Sequence, residues 1–252
     1  MKDWIYDEFG HAGVNYSEKD NAEIYDDQME SFRDYENEAK IFIEKTGISD
    51  PKNLTVIDIG CGTGVFSIHA AKYFKKIHAV DVSGKMLEIA KYKAKINEID
   101  NIEFCNSGFL QFQQNAKADV VYSKWALHHL PDYWKQSALL NMNKMLKPGG
   151  ILFLSDVVFK FDPDFEKSTD AFLDELSKDF SEDFVEETKV HIRDEYSTFD
   201  WILQGLIERA GFKIEKIITA DILASEYFCR KIKSFEEGEW ANGRMGEWAN
   251  SE

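Results

Sequence analysis

Val-Ile-Asp-Ile-Gly-Cys-Gly-Thr-Gly, residues 56–64, is the stretch that decides the fold of this chain. Its first four residues form a mostly apolar run, which is typical of a buried parallel strand. Gly60, Gly62 and Gly64 then predict a sharp turn, and the apolar spacing of residues 65–74 predicts a helix. Such a strand, turn and helix form a nucleotide-type cradle, because glycine lets a ligand approach the backbone and a helix N-terminus presents free N–H groups.

The spacing of the glycines indicates which ligand the turn suits. A dinucleotide fingerprint needs Gly-x-Gly-x-x-Gly, but the third glycine here comes one residue early, and Val65 takes its place. Asp58 also precedes the first glycine by two residues. The pattern Asp-x-Gly-x-Gly-x-Gly resembles motif I of the class I S-adenosylmethionine (SAM)-dependent methyltransferases. The alternative is a glycine-rich turn that binds no ligand.

Asp81 is the second candidate cofactor residue. It ends the predicted strand 77–82 and lies 21 residues after Gly60, close to the separation at which an acid binds a ribose diol. One carboxylate can accept both ribose hydroxyls. The alternative is a helix cap or a surface acid, but Ser83 is the better cap for the helix that follows, which leaves Asp81 freer for a ligand.

The composition restricts the class of protein. With 46 acidic and 30 basic residues the net charge is −16, which opposes non-specific binding to nucleic acid. No apolar run approaches the roughly 18 residues of a membrane helix, and the N-terminus lacks the pattern of a secretory signal. Three cysteines without metal-ligand spacing predict no metal and a reducing, cytoplasmic setting. The acidity is concentrated in residues 156–200, with fifteen acids and five bases.

Strand and helix patterns alternate along most of the chain. Strands are predicted at 54–59, 77–82, 102–105, 118–123, 151–158, 212–220 and 225–232, with helices near 64–75, 84–97 and 132–146. The fold class is therefore α/β: a Rossmann-like, doubly wound, seven-stranded, mostly parallel sheet with an antiparallel last strand and a helical lid insertion. We divide the chain into an N-terminal cap region (1–45), a SAM-binding core (46–159), the lid (160–197), the end of the core (198–233) and a tail (234–252).

The segment after the third strand departs from the family that the chain resembles. Similar methyltransferases often carry Gly-Asp there, and the acid binds the adenine amino group, whereas this chain has Ser107-Gly108-Phe109. We expect Phe109 to border the adenine ring, with Ser107 or backbone groups replacing the acid. Cys61, Val82 and Met86 lie beside the glycine turn or Asp81 and complete the predicted cofactor contacts.

The segment after the fourth strand contains Leu127-His128-His129-Leu130-Pro131-Asp132, which resembles the Leu-His-His stretch of small-molecule methyltransferases. Ser123 and Lys124, just before it, are predicted to lie near the methionine moiety of SAM. One histidine serves as a general base, since its pKa is near neutral, or both form a wall of the pocket. The alternative is that one histidine packs and the other caps a helix.

Two further segments are expected to border the pocket. Tyr25 in the first helix resembles a Tyr-Asp pair of many relatives, and with Arg33 it would reach the methionine carboxylate; the alternative is a packed tyrosine and a solvated arginine. The lid follows strand five, so it should overhang the carboxyl ends of the strands. Its acids attract a cationic acceptor or simply keep the lid soluble.

The resemblance implies a SAM-dependent methyltransferase that acts on a small molecule. Its acceptor atom, an O, N or S, would attack the methyl carbon in line with the C–S bond and leave S-adenosylhomocysteine. The expected partner is a small-molecule acceptor, with no nucleic acid and no membrane. Two alternatives stay open: a protein that binds SAM or S-adenosylhomocysteine without turnover, and a methyltransferase with a protein acceptor.

Overall fold

The computed structural model describes residues 3–10, 34–160, 164–219 and 224–235. Within them the strands are β1 (Thr55–Ile59), β2 (Lys76–Asp81), β3 (Ile102–Asn106), β4 (Ala118–Lys124), β5 (Leu146–Phe159), β6 (Thr198–Phe199), β7 (Phe212–Thr219) and β8 (Ala224–Lys231). The α-helices are α1 (Tyr35–Thr46), α2 (Val65–Ala70), α3 (Gly84–Ile96), α4 (Asp132–Met145), α5 (Phe165–Asp179), α6 (Glu182–Asp194) and α7 (Asp200–Arg209). Each predicted strand has a counterpart here.

The strands form one mixed sheet in the order β3-β2-β1-β4-β5-β8-β7. The pairs from β3 to β5 are parallel, and β8 runs antiparallel to both β5 and β7. The predicted α/β class, the mostly parallel sheet and the antiparallel last strand are therefore confirmed. The two-residue strand β6, which pairs with the end of β5 in parallel, is an addition that the sequence pattern did not predict.

Both faces of the sheet are covered by apolar residues, as the continuous apolar strand patterns predict. On one face, Phe42 of α1 and Phe66 of α2 pack against Tyr122 and Phe153 of the central strands. On the other face, α4 and α7 bury Leu139, Met142, Leu203 and Ile207. With both faces covered, the carboxyl ends of β1–β5 are left as the edge at which a ligand can reach the sheet.

The lid region contains two helices, α5 and α6. Helix α5 has no fully buried residue, whereas Val185 of α6 is buried. The chain that leaves α6 returns to the sheet, because the Tyr196 amide donates to the carbonyl of His128 (3.0 Å) just before β6 begins. The end of the lid is thereby tied to the segment after β4. No helix among the described residues is long and apolar enough to cross a membrane.

Candidate active site

The glycine turn after β1 has the shape that its sequence predicts. The amides of Gly60 and Cys61 both donate to the carbonyl of Val80, at 2.8 and 3.0 Å, so the turn is tied to the end of β2. Gly60 has φ +76°, and a Cβ there would lie 2.3 Å from the Cβ of Ala126. A side chain at position 60 is excluded by both the backbone conformation and the space.

The Asp81 carboxylate is held at the turn by the backbone. Its Oδ2 accepts from the Gly62 amide and its Oδ1 from the Ser83 amide, each at 2.8 Å. Burial raises the pKa of Asp81, and the two amide bonds oppose that rise. The prediction that Ser83 caps α3 is confirmed, since its side chain accepts from the Met86 amide. The two amides fix the Asp81 carboxylate in one orientation, and its contact with a ligand stays a prediction.

Asp58 supports the turn from a buried position, and Cys61 is a partly buried thiol within the turn. Asp58 is buried, and its Oδ2 accepts from the Ser67 hydroxyl at 2.6 Å, which links β1 to α2. Burial raises the pKa of the Cys61 thiol well above its usual value, and the charges of Asp81 and Asp58 add to the rise. Cys61 is therefore a neutral thiol that occupies space in the turn, and a reactive thiolate is disfavoured.

A carboxylate that sequence reasoning missed lies at the end of β3. The Glu8 side chain accepts from the amides of Leu110 (2.9 Å) and Gln111 (3.1 Å), and Glu8 is buried. A Cβ on Gly108 would come within 2.2 Å of the Glu8 Oε2. The N-terminal segment thus places a carboxyl group where a side chain at position 108 would otherwise lie. Burial raises the pKa of Glu8, although its amide bonds oppose the rise.

The remaining predicted cofactor residues surround these groups. Phe109 and Met86 are buried, and a Cβ at Gly60 would lie 3.5 Å from the Phe109 ring. The Ser107 amide donates to the carbonyl of Asp81 at 3.1 Å, and Val82 is half-buried beside it. The structure therefore brings the glycine turn, Asp81 and the 107–109 segment together, as expected for one cradle. Their contacts with a cofactor stay a prediction.

Ser123 and Lys124 lie at the end of β4, where the sequence places them. Ser123 is fully buried, and the Lys124 ammonium pairs with the carboxylate of Glu38. The Tyr122 hydroxyl donates to the same Glu38 oxygen at 3.1 Å. Lys124 therefore already has a carboxylate partner on α1. Tyr25 and Arg33, the other predicted contacts of the methionine moiety, lie outside the described residues.

His128 and Asp156 form a buried pair on the other side of the crevice. The Nδ1 of His128 lies 2.5 Å from Oδ1 of Asp156. The same oxygen also accepts a hydrogen bond from the Val157 amide. Burial alone would lower the pKa of His128, but the adjacent carboxylates of Asp156 and Glu195 outweigh it, so the pKa is raised. Burial likewise opposes ionisation of Asp156, yet His128 lowers its pKa. The pair is thus electrostatically coupled.

Glu195 brings the end of the lid into the same cluster. Its Oε2 lies 3.3 Å from Nε2 of His128, and its Oε1 lies 4.0 Å from Nδ1 of His129. The side chains of His128 and Glu195 are 6% and 4% exposed, but that of His129 is 33% exposed, so His129 is the part of the cluster that solvent reaches. The Tyr6 hydroxyl donates to the carbonyl of His129 at 3.5 Å.

The acceptor side was predicted only in part. The sequence singled out His128 and His129, but it did not predict Glu195, Glu8 or Glu38 as site residues. Glu195 lay among the fifteen acids of residues 156–200 and resembled a surface charge. Its one signal was its position between the lid helix and the next strand, where the chain must return to the sheet.

The chain is similar to known proteins in sequence and in fold. A family model described as a methyltransferase domain matches residues 50–221. An uncharacterized methyltransferase of Anoxybacillus flavithermus is 28% identical over 156 residues, covering 60% of this chain and 68% of that protein. A malonyl-[acyl-carrier protein] O-methyltransferase of Ilyobacter polytropus is 27% identical over 179 residues, covering 66% of each chain.

The fold is shared with solved structures. The magnesium protoporphyrin IX methyltransferase of Synechocystis, solved with bound S-adenosylhomocysteine, superposes with a TM-score of 0.57 at 18% identity, covering 89% of this chain and 91% of that one. The family match covers more than half of the chain and includes the glycine turn, Asp81 and the His128–Asp156 pair. The chain therefore belongs to the methyltransferase-domain family and is a class I SAM-dependent methyltransferase.

Proposed function

We propose that this enzyme transfers the SAM methyl group to an O, N or S atom of a small molecule by in-line displacement. The observation that carries the proposal is the Asp81 carboxylate, which two backbone amides hold beside the glycine turn. Each of its oxygens accepts one amide bond and keeps a second lone pair, so the carboxylate can still accept the two ribose hydroxyls. The residues present therefore fit SAM.

The other cofactor roles follow from position. The turn Gly60–Gly64 would hold the methionine part, with Asp58 and Cys61 supporting it, and Phe109 would border the adenine. Val82, Met86, Ser107 and Gly108 would line the same cavity, and Ser123, Lys124, Tyr25 and Arg33 would close it at the methionine end. When bound, SAM supplies a methyl group activated by its sulfonium, so the chain's task is to orient the acceptor and exclude water.

On the acceptor side we propose a wall formed by His128 and His129. The Nε2 of His128 faces the Glu195 carboxylate, so we propose that the role of His128 is to interact with the neighbouring carboxylates of this cluster. His129 is the more exposed of the two, and we propose that it contacts the acceptor. Positioning of the acceptor atom against the methyl carbon is then the main contribution of this side.

A small-molecule acceptor is favoured by charge and by relatives. The net charge of −16 opposes nucleic acid, and two relatives carry names that state a malonyl group on a carrier protein and magnesium protoporphyrin IX as their substrates. All three cysteines are free thiols, which supports a reducing, cytoplasmic setting. A protein acceptor and binding without turnover are the outcomes against which this proposal is tested.

Calorimetric titration with SAM, S-adenosylhomocysteine and NADH is the first experiment. We expect micromolar binding of the first two and none of NADH, because the turn lacks the third dinucleotide glycine. Labelled SAM with a panel of small hydroxyl, amine and thiol compounds then measures turnover. Absence of SAM binding would overturn the proposal. If SAM binds and its methyl group is transferred to a protein but to none of the compounds, the acceptor is a protein rather than a small molecule.

A further inference from the structure

We propose that His128, His129 and Glu195 bind a divalent transition-metal ion at the acceptor side of the crevice. Each residue offers one ligand atom, and the three atoms lie within 4.8 Å of one another. They come from the turn after β4 and from the end of the lid, so the site exists only when the lid meets the sheet. The sequence predicted no metal from its cysteines, but this site uses imidazole and carboxylate groups instead.

The separation of the ligand atoms fits a metal ion. Zinc binds histidine nitrogen and carboxylate oxygen at roughly 2.0–2.2 Å, so two ligands at a tetrahedral angle lie about 3.3–3.6 Å apart. The distance between His128 Nε2 and Glu195 Oε2 is 3.3 Å. The Nδ1 of His129 lies 4.0 Å from the other carboxylate oxygen, so binding of the ion requires this partly exposed ring to move closer.

Asp156 supplies a second and independent observation. Metal-bound histidine almost always donates its other ring N–H to a carboxylate or a carbonyl, which fixes the tautomer and the ring orientation. Asp156 lies 2.5 Å from Nδ1 of His128 and is itself fixed by the Val157 amide. With the Nδ1 proton directed to Asp156, the Nε2 lone pair is directed towards Glu195 and the proposed ion.

The charge balance of the cluster favours a dication. The side chains of Asp156 and Glu195 are 2% and 4% exposed, and buried charges need partners. A proton on His128 neutralises one carboxylate, whereas a divalent ion held by neutral imidazoles neutralises both. Lys135, the nearby ammonium group, already bonds Asp132 and the carbonyl of Tyr196.

The donor set indicates the class of metal and its role. Two imidazoles and one carboxylate suit zinc and its neighbours better than magnesium or calcium, which prefer oxygen ligands. Three protein ligands leave a fourth position open, as in catalytic zinc sites. If the proposed methyl transfer holds, that position would bind an oxygen or nitrogen of the acceptor. This role rests on the proposed function, but binding of the ion does not.

Zinc and cobalt titrations of the chelator-treated full chain test the site. We expect one zinc ion per chain by calorimetry and, with Co²⁺, a visible absorption band of a low-coordinate N/O site. His129→Asn and Glu195→Gln should each weaken zinc binding at least tenfold. His78→Asn and Glu186→Gln are matched controls, because they remove one histidine and one lid acid outside the cluster and should leave the affinity unchanged.

A variant of Asp156 distinguishes a metal site from a cluster of side chains that binds protons but no metal ion. Asp156→Asn keeps the three ligands but weakens the hold on His128, so zinc affinity should fall roughly 10–100-fold. Weak or multiple binding in the parent chain, or equal affinity in the ligand variants and the controls, would overturn the proposal. Titration of the metal-free chain with SAM is a separate readout, so failure of SAM binding would contradict the proposed function and not the metal site.

Discussion

The two sides of the crevice are built in different ways. On the cofactor side, the ends of β1 and β2 hold the Asp81 carboxylate with backbone amides from residues 62 and 83. On the acceptor side, the side chains of Asp156 from β5 and Glu195 from the end of the lid hold His128, which follows β4. One side is a property of the backbone turn, and the other is a property of side chains that distant segments bring together. We therefore expect mutations to affect the two sides differently.

The largest effect should come from breaking the buried pair on the acceptor side. Asp156→Ala leaves His128 without its closest carboxylate, and removal of one partner of a buried ion pair costs about 3–5 kcal/mol of unfolding free energy. Denaturant unfolding measures it. In the triple variant His128→Leu, Asp156→Leu and Glu195→Leu the loss should be smaller than in Asp156→Ala, because all three charged partners of the cluster are then removed together. A larger loss in the triple variant would show that packing, rather than charge, holds this side together.

The glycine turn should respond to added volume rather than to charge. Gly60→Ala forces a side chain into a backbone with φ +76° and against Ala126, which costs roughly 2–4 kcal/mol in conformational strain and overpacking. Thermal unfolding and SAM titration should both show the loss. Gly84→Ala is the matched control, since a Cβ there meets nothing within 4 Å. Equal stability of the two variants would contradict the account of the turn.

Removal of the Asp81 side chain should weaken only the binding of the cofactor. Asp81→Ala should lower SAM affinity by roughly 1.5–3 kcal/mol, the range for lost hydrogen bonds to a charged group. Asp100→Ala removes an exposed acid and serves as control. Calorimetry measures the change, and a full loss of folding would point to a structural role for the amide bonds. Unchanged affinity would contradict the ribose assignment.

The smallest effect should be a pH dependence that comes from Glu8. Its pKa in the folded chain lies above its ordinary value of 4.5, mainly because the carboxyl group is buried. The folded state therefore holds the proton more tightly, so the unfolding free energy should fall as the pH rises from 4.5 through the raised pKa. Glu8→Gln should flatten this slope in thermal melts. An identical slope in the variant would assign it to another group.

The contrast between the two sides also explains what the sequence could predict. The cofactor side lies in two short stretches, so its spacing alone identified the turn and Asp81. Tertiary contacts alone reveal that Glu8 lies at Gly108, about a hundred residues later along the chain, and that Glu195 faces His128. Helices and strands followed the apolar pattern, because both faces of the sheet are buried. The two-residue strand β6 is set by its pairing with β5, which no local pattern encodes.

The sheet order has a consequence for how the chain is made. Among the described strands, β7 pairs with the sheet through β8, which is the later strand in the sequence. While residues 224–231 are still inside the ribosome, the long apolar strand β5 lacks its antiparallel neighbour, and its edge stays open to other strands. A nascent chain that stalls before β8 thus exposes an aggregation-prone edge, which pairing with the last strand covers.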